Sequence, residues 1–451
     1  MTTLNLMILV VGVVLFVLAR QVRARRMKEL LDYVAENIGI HPKVFFKYWR
    51  RRYQPWPFNF PIAERLQLPV LDFRKGEPSV PPKQSILPLL RGLWSTWIIA
   101  RSGLYAGKKW GNEYLHNIAN AMMILWCTRM CEVVQLRLEV QDLQHLDSIE
   151  DPLLVICNHK SIFDFVAGPL ALGLAHLSKR GPVKLRFMAA KDHFVDNFFV
   201  YRILKIGLAM QAIGMIFVDR KGKNRKASVD EAVDQMLSSG VDVVIFPQGT
   251  RAWPQLDAMG NRWDAGYFAA GKKDRMAVLG GHLKKGAAHL GMQVATRNPV
   301  CVLPVAVFGT ATVYHKYSLK VQLNETISVR IGEPIRIASA PSDEAAYGAA
   351  VKELHQRMDT SMMRVSGIIP RLEQRLLADT RRILRSGEFE DFVQTVQSHR
   401  NKEDALFFSV ADQIYSLPRD AQHGRLIQFA STARQGASVE DLLAMKRDMA
   451  G

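Results

Sequence analysis

The feature that most constrains this chain is a succession of short apolar runs separated by stretches of helical length. Val133 to Val140 alternates as a strand should, and Leu153 to Cys157, Leu185 to Ala189, Met215 to Val218, Val241 to Phe246 and Val300 to Phe308 follow it. Between them lie helical segments; Ser228 with Glu231 three residues later reads as a capping box opening a helix that stops near Gly240. Strands alternating with helices specify an α/β fold, a layered and mostly parallel sheet flanked by helices. Pro304 inside the last long run places that strand at an edge or a bulge. A final pair, Lys320 to Leu323 and Ile327 to Ile331, reads as a hairpin turning around Asn324 and Glu325.

At 451 residues the chain exceeds one ordinary domain, and its character changes along its length. Leu6 to Ala19 carries no polar side chain, and Leu4 and the N-terminal threonines extend it to about the length that spans a slightly thinned bilayer. Arg20, Arg23, Arg25, Arg26 and Lys28 follow it and no cation precedes it, an order that places the rest of the chain in the cytoplasm and is the reverse of a signal peptide's. Residues 1–28 are therefore expected to form a single N-terminal transmembrane anchor in the cytoplasmic membrane, although a buried core helix fits the same run. Residues 29–131 form a membrane-proximal helical region. Within it Lys47, Arg50, Arg51 and Arg52 beside Tyr53 and Trp56, before Pro55, Pro57 and Pro61, suit a headgroup layer or a solvated loop. The apolar stretches Ile86 to Ile99 and Ile118 to Cys127 are too short to span and read as interfacial or core helices. Residues 132–340 hold the α/β domain, and residues 341–451 form a helical C-terminal extension.

A formal charge of +18 requires a polyanionic partner. No helix-turn-helix, zinc-finger or aromatic RNA-binding pattern is present, so a membrane surface is expected and nucleic acid is not. Cys127, Cys131, Cys157 and Cys301 lack metal-ligand spacing and sit in apolar surroundings, which argues against zinc and against a disulfide framework.

The chemistry concentrates where apolar runs end. Asn158-His159-Lys160-Ser161-Ile162-Phe163-Asp164 follows the strand Leu153 to Cys157. A neutral imidazole is suited to take a proton from an alcohol, and a carboxylate on its far nitrogen fixes the tautomer and stabilises the imidazolium. Five residues on a helix rotate about 500°, leaving His159 and Asp164 about 140° apart, so His159 must sit on the turn before the helix. A lone histidine at a strand end also fits a purely structural role. Gly214 to Arg220 is a strand ending in a charged pair; Arg220 at that edge can grip a phosphate or form a surface turn with Asp219. In Phe246-Pro247-Gln248-Gly249-Thr250-Arg251, Gly249 permits close backbone approach, Thr250 offers a donor and Arg251 a planar fork for phosphate.

These strings, with the run around Pro304, resemble the glycerolipid acyltransferase superfamily, particularly the bacterial lysophosphatidic acid acyltransferases, over roughly Leu153 to Pro334. The resemblance implies a general base at His159 with Asp164 as its partner. It implies substrate contacts from Asn158, Ser161, Gly214, Phe217, Arg220, Phe246, Pro247, Gln248, Gly249, Thr250, Arg251 and Lys285, with Arg220 and Arg251 on the acceptor phosphate and Pro304 on the acyl-chain side. It further implies transfer of an acyl group from acyl-CoA or acyl carrier protein to lysophosphatidic acid in membrane phospholipid synthesis, with no metal and no cofactor. Glycerol 3-phosphate or another lyso-lipid fits the same motifs. Two departures stand out. Gln248 occupies a position usually held by Glu, the one feature favouring an inactive scaffold. The string Lys284-Lys285-Gly286 is separated from the third motif by about thirty residues, an unusually long loop. That insertion, Ala252 to Gly281, carries Trp253, Trp263, Tyr267 and Phe268 with Lys272, Lys273 and Arg275, and reads as a membrane-dipping or substrate-covering loop or a plain surface excursion.

Overall fold

A computed structural model of the chain describes residues 3–38, 40–50, 70–74, 84–147, 149–159, 161–179, 185–219, 225–247, 249, 283–314, 320–365 and a few positions between 432 and 445. The strands are β1 (Val70–Asp72), β2 (Gln84–Ser85), β3 (Arg137–Gln141), β4 (Leu153–Cys157), β5 (Leu185–Ala190), β6 (Ile216–Val218), β7 (Asp242–Ile245), β8 (Val300–Phe308), β9 (Val321–Gln322), β10 (Thr326–Ile331) and β11 (Ile335–Ile337). The helices are α1 (Thr3–Glu36), α2 (Pro42–Arg50), α3 (Leu87–Trp110), α4 (Asn112–Val134), α5 (Asp164–Lys179), α6 (Lys191–Phe194), α7 (Ile206–Ala212), α8 (Arg225–Ser239), α9 (Gly286–Ala295), α10 (Thr310–Val313) and α11 (Glu344–Val365).

The main sheet runs β1-β3-β10-β8-β4-β7-β5-β6, with β11 also on β8. From β8 through β4, β7 and β5 to β6 all pairs are parallel, whereas β10 and β11 meet β8 antiparallel, so the sheet is mixed. Every residue of β4 is buried, as a strand covered on both faces requires. Alternation along β4 and β8 sends Leu153, Val155, Cys157, Cys301, Leu303, Val305 and Val307 into a core with α4 and α5. Leu154, Ile156, Val300, Val302 and Ala306 enter a second core with α8, α9 and α11. A third cluster joins Leu30, Leu31 and Val34 of α1 to Phe45 of α2 and to α3 and α4.

Several expectations are corrected. The strand expected from Val133 begins only at Arg137, because α4 continues through Val134, whose side chain is buried with the rest of that helix face. Ser228 lies inside α8, which opens at Arg225, so the capping box is not the start; the helix does end at Gly240, with φ of +57°. The hairpin is not formed: β9 pairs with β2, while β10 lies between β3 and β8. Asn324, at φ +62°, turns the chain between the two sheets, where its N–H donates to Val134 O and the Arg137 N–H donates to Glu325 O. Pro304 is not on an edge strand. β8 is interior, and Pro304 falls where its antiparallel neighbour changes from β10, ending at Ile331 opposite Val305, to β11, beginning at Ile335 opposite Val302. A residue without an N–H is tolerated at that hand-over, and the Gly332 N–H donates to Pro304 O at 2.8 Å.

The stretches around Ile86 and Ile118 extend into α3 and α4, an antiparallel pair joined at Gly111, φ +92°. Of the residues after 340, α11 packs on the sheet through Val351, Leu354, Met358 and Met362. α1 is continuous; Val11 to Leu18 are exposed on it, and its C-terminal half is packed. Among the described residues no helix is long and apolar enough to cross a membrane. Arg51, Arg52, Tyr53, Trp56 and the neighbouring prolines, and the insertion 252–281, lie outside the described residues.

Candidate active site

β4 delivers the first motif to its carboxyl edge. Asn158 then substitutes for a strand residue: its Nδ2 donates to Val307 O at 2.9 Å and its Oδ1 accepts the Val307 N–H at 2.7 Å. The side-chain amide thus prolongs the β4–β8 ladder after β4 has ended. His159 follows on the turn, and α5 begins at Asp164, the arrangement that the five-residue spacing demands.

His159 Nδ1 lies 2.8 Å from Asp164 Oδ2. Facing a carboxylate, that nitrogen carries the proton, so Nε2 is the ring nitrogen able to accept one from an alcohol. Asp164 is 1% exposed. A carboxylate so buried is held only if donors satisfy it, and the Ser161 N–H reaches Oδ2 at 2.8 Å while the Thr310 hydroxyl donates to Oδ1 at 2.5 Å. Ser161 Oγ donates to Tyr314 O at 2.8 Å. Thr310 stands immediately after Gly309, φ +84°, where an added Cβ would meet the backbone of Thr326 and Ile327. The segment from Val307 to Tyr314 therefore clamps both ends of the His159 turn.

Two phenylalanines frame the imidazole. Phe246 lies 4.6 Å from the His159 ring centroid and Phe165 5.5 Å, edge-on; Phe165 contacts Phe246 at 4.8 Å and Phe187 at 5.6 Å. Phe163, Phe165 and Phe187 also line a cavity of about 480 Å³ walled by apolar residues of α3, α4, α5 and α7. Its volume is in the range of small-ligand sites. Cys157, beside the motif, is not a nucleophile: burial and then the charge of Asp164 push its thiol well above the ordinary range.

The third motif turns back at Gly249, φ +70°, with the Gly249 N–H donating to Phe246 O at 2.9 Å. Lys284 N–H donates to Pro247 O at 2.8 Å, and the Lys284 side chain lies over Gly249, its Cε 2.7 Å from where a Cβ would stand. Lys285, the expected contact, instead precedes α9 and is exposed. Phe217 is half-buried against the α4–α5 core. Gly214 is not brought to the site: it precedes β6 opposite Arg186, about 13 Å of strand from Val218. Pro304 pairs with Ile156 and shares the face of the α8–α9–α11 core, opposite the face that the cavity occupies. Arg220, Gln248, Thr250 and Arg251 lie outside the described residues. Thr310, Tyr314, Phe165 and Phe187 are neighbours that the motif reading did not name, and Lys284 was named only as part of the string that holds Lys285.

Residues 137–308 match the family model described as Acyltransferase. That span is an acyltransferase domain, with its His-Asp pair at the edge of an α/β sheet. The chain is similar to the chloroplastic 1-acyl-sn-glycerol-3-phosphate acyltransferase LPAT1 of Arabidopsis thaliana, 23% identical over 204 residues, covering 45% of each protein. It is also similar to a probable 1-acyl-sn-glycerol-3-phosphate acyltransferase of Mycoplasma pneumoniae, 31% identical over 99 residues, 22% of this chain and 33% of that one. The alignments thus span less than half the length of these curated relatives. Among solved structures, PlsC of Thermotoga maritima, a 1-acyl-sn-glycerophosphate acyltransferase, aligns at a TM-score of 0.40 and 18% identity, covering 61% of this chain and 93% of that one.

Proposed function

We propose that this chain is a membrane-bound O-acyltransferase that moves a fatty acyl group from acyl-CoA or acyl carrier protein to the free hydroxyl of lysophosphatidic acid. The observation that carries the reading is the His159 to Asp164 pair opening beside an apolar cavity large enough for part of an acyl chain. His159 Nε2 takes the acceptor proton as the oxygen attacks the thioester carbonyl. Asp164 holds the imidazolium that forms, and the thiol leaves with the transferred proton. The donor is already activated, so no covalent enzyme intermediate and no cofactor is required. Arg220 and Arg251 hold the acceptor phosphate in this reading, with the Lys284 ammonium beside the same loop. The names of the relatives favour lysophosphatidic acid, with glycerol 3-phosphate or another lyso-lipid as the alternative acceptor.

The apolar run of α1 anchors the enzyme to the cytoplasmic membrane, its basic flank facing the cytoplasm. Purified protein in vesicles, offered labelled lyso-acceptors with each donor, should acylate lysophosphatidic acid. The variant His159→Ala should lose turnover by at least about a thousandfold while keeping its helical circular dichroism. Turnover surviving in that variant removes the imidazole from the mechanism.

A further inference from the structure

An exposed apolar surface lies outside the motifs. In residues 197–204, Phe198, Phe199 and Ile203 are 71%, 54% and 50% exposed. Phe199–Ile203 is a turn of π-helix, closed by Leu204 N–H donating to Phe199 O at 2.9 Å. At π spacing Phe198 and Phe199 share a face with Arg202 and Ile203, and all four are exposed. The inward face is built: Tyr201 donates its hydroxyl to Gln211 Oε1 at 2.8 Å and packs against Gly207, and Asn197 Oδ1 accepts the Val200 N–H at 3.2 Å. The phenylalanines are thus displayed by a folded turn.

Two features specify what covers them. No Asp or Glu occurs from Asn197 to Val218, while Arg202 and Lys205 do, so the surface matches an acyl interior beneath anionic headgroups. The segment is also bracketed by the cavity, whose lining includes Phe194 before it and Ile206 after it. Further exposed apolar side chains occur on the cavity's other walls: Ile162, itself a lining residue, and Leu90 and Trp94 on α3 beside the lining Leu89 and Leu93.

We propose that residues 197–204 form a lip that inserts into an anionic phospholipid bilayer beside the cavity, a membrane contact separate from α1. Insertion to the depth of an interfacial helix, about 5–10 Å, would bring Phe198, Phe199 and Ile203 among acyl chains with Arg202 at the phosphates. The inference rests on the acyltransferase reading only for what enters the cavity.

The full-length protein tests it. Cys127, Cys131, Cys157 and Cys301 are all buried, so a cysteine introduced as Phe199→Cys can be labelled selectively with an environment-sensitive fluorophore. Glu353→Cys, on an exposed face of α11, is the control. In vesicles of phosphatidylcholine and phosphatidylglycerol, the label at 199 should shift to the blue and be quenched by lipids spin-labelled in their acyl chains. The label at 353 should do neither. A label at 199 that stays in water overturns the lip, and so does a shift that follows protein concentration without vesicles, which marks contact with a second copy. The double variant Phe198→Ser with Phe199→Ser should lose about tenfold in turnover on acceptor in vesicles and keep its turnover on acceptor dispersed in detergent. Equal loss in both media overturns the proposal. The fluorescence needs no turnover, so the lip and the acyltransferase reading can fail separately.

Discussion

Replacing Thr310 with Val removes one hydroxyl at nearly constant volume from a side chain that is 0% exposed. In the native protein that hydroxyl holds Asp164 Oδ1 at 2.5 Å, while Oδ2 takes His159 and the Ser161 N–H. Without it the carboxylate keeps both contacts at Oδ2 but gains freedom to rotate, and Oδ1 loses a donor in a site too buried for water to replace it fully. A hydrogen bond to a charged acceptor contributes about 1.5–3 kcal/mol. If that contribution is realised as the imidazolium forms, turnover falls by about 10- to 150-fold, since about 1.4 kcal/mol is tenfold in rate. Acceptor binding does not involve Thr310, so KM should hold while kcat falls. Thiol release from acyl-CoA, followed with a chromogenic disulfide, measures both. Thr310→Ser restores the hydroxyl and should recover most of the rate. A Val variant within twofold of the native rate, or a Ser variant as impaired as the Val variant, refutes the assignment of this hydroxyl as a positioning group.

Burial pushes the Asp359 carboxyl up to about 6, with His355 beside it acting in the opposite direction. A raised folded-state pKa stabilises at low pH, and that contribution is lost as pH rises from about 4 through about 6; thermal melts of Asp359→Asn should lack this decline. Gly332→Ala would place a Cβ 2.8 Å from Pro304 Cγ and 3.1 Å from its carbonyl oxygen, where β8 changes partners. Denaturant titration should show a loss of about 1–3 kcal/mol, the usual range for overpacking. Ala119→Phe puts a ring into the cavity lining, and competition between donors of different length should shift toward shorter chains by about fourfold per excluded methylene.

Much of the α/β domain was legible because its central strands are buried on both faces and so carry unbroken apolar runs. β4 and β8 begin and end where the sequence places them, at Leu153–Cys157 and Val300–Phe308. The position of His159 before α5 followed from helical geometry alone. What could not be read depends on partners distant in sequence. Thr310 reaches Asp164 only because β8 lies beside β4, and nothing local to Gly309-Thr310 declares that neighbour. The expected hairpin failed for the same reason: the strand after Asn324 finds better partners in β3 and β8 than in the two residues of β9. Val133 and Val134 suit a strand locally, and burial in the α4 core decided otherwise. Lys284 and Lys285 are chemically equal in the sequence; the hydrogen bond from the Lys284 N–H to Pro247 O distinguishes them.

The amide of Asn158, bonded both ways to Val307, has a dynamic consequence. Irregular connections ordinarily open on their own, well below the free energy at which a domain comes apart. Here the connection is laced to the central ladder on one side and to the carboxylate of a helix start on the other. Local fraying at His159 must break bonds into β8 as well, so the turn and the middle of the sheet open as one cooperative unit. The rigidity that reaction geometry needs is thus borrowed from the strands.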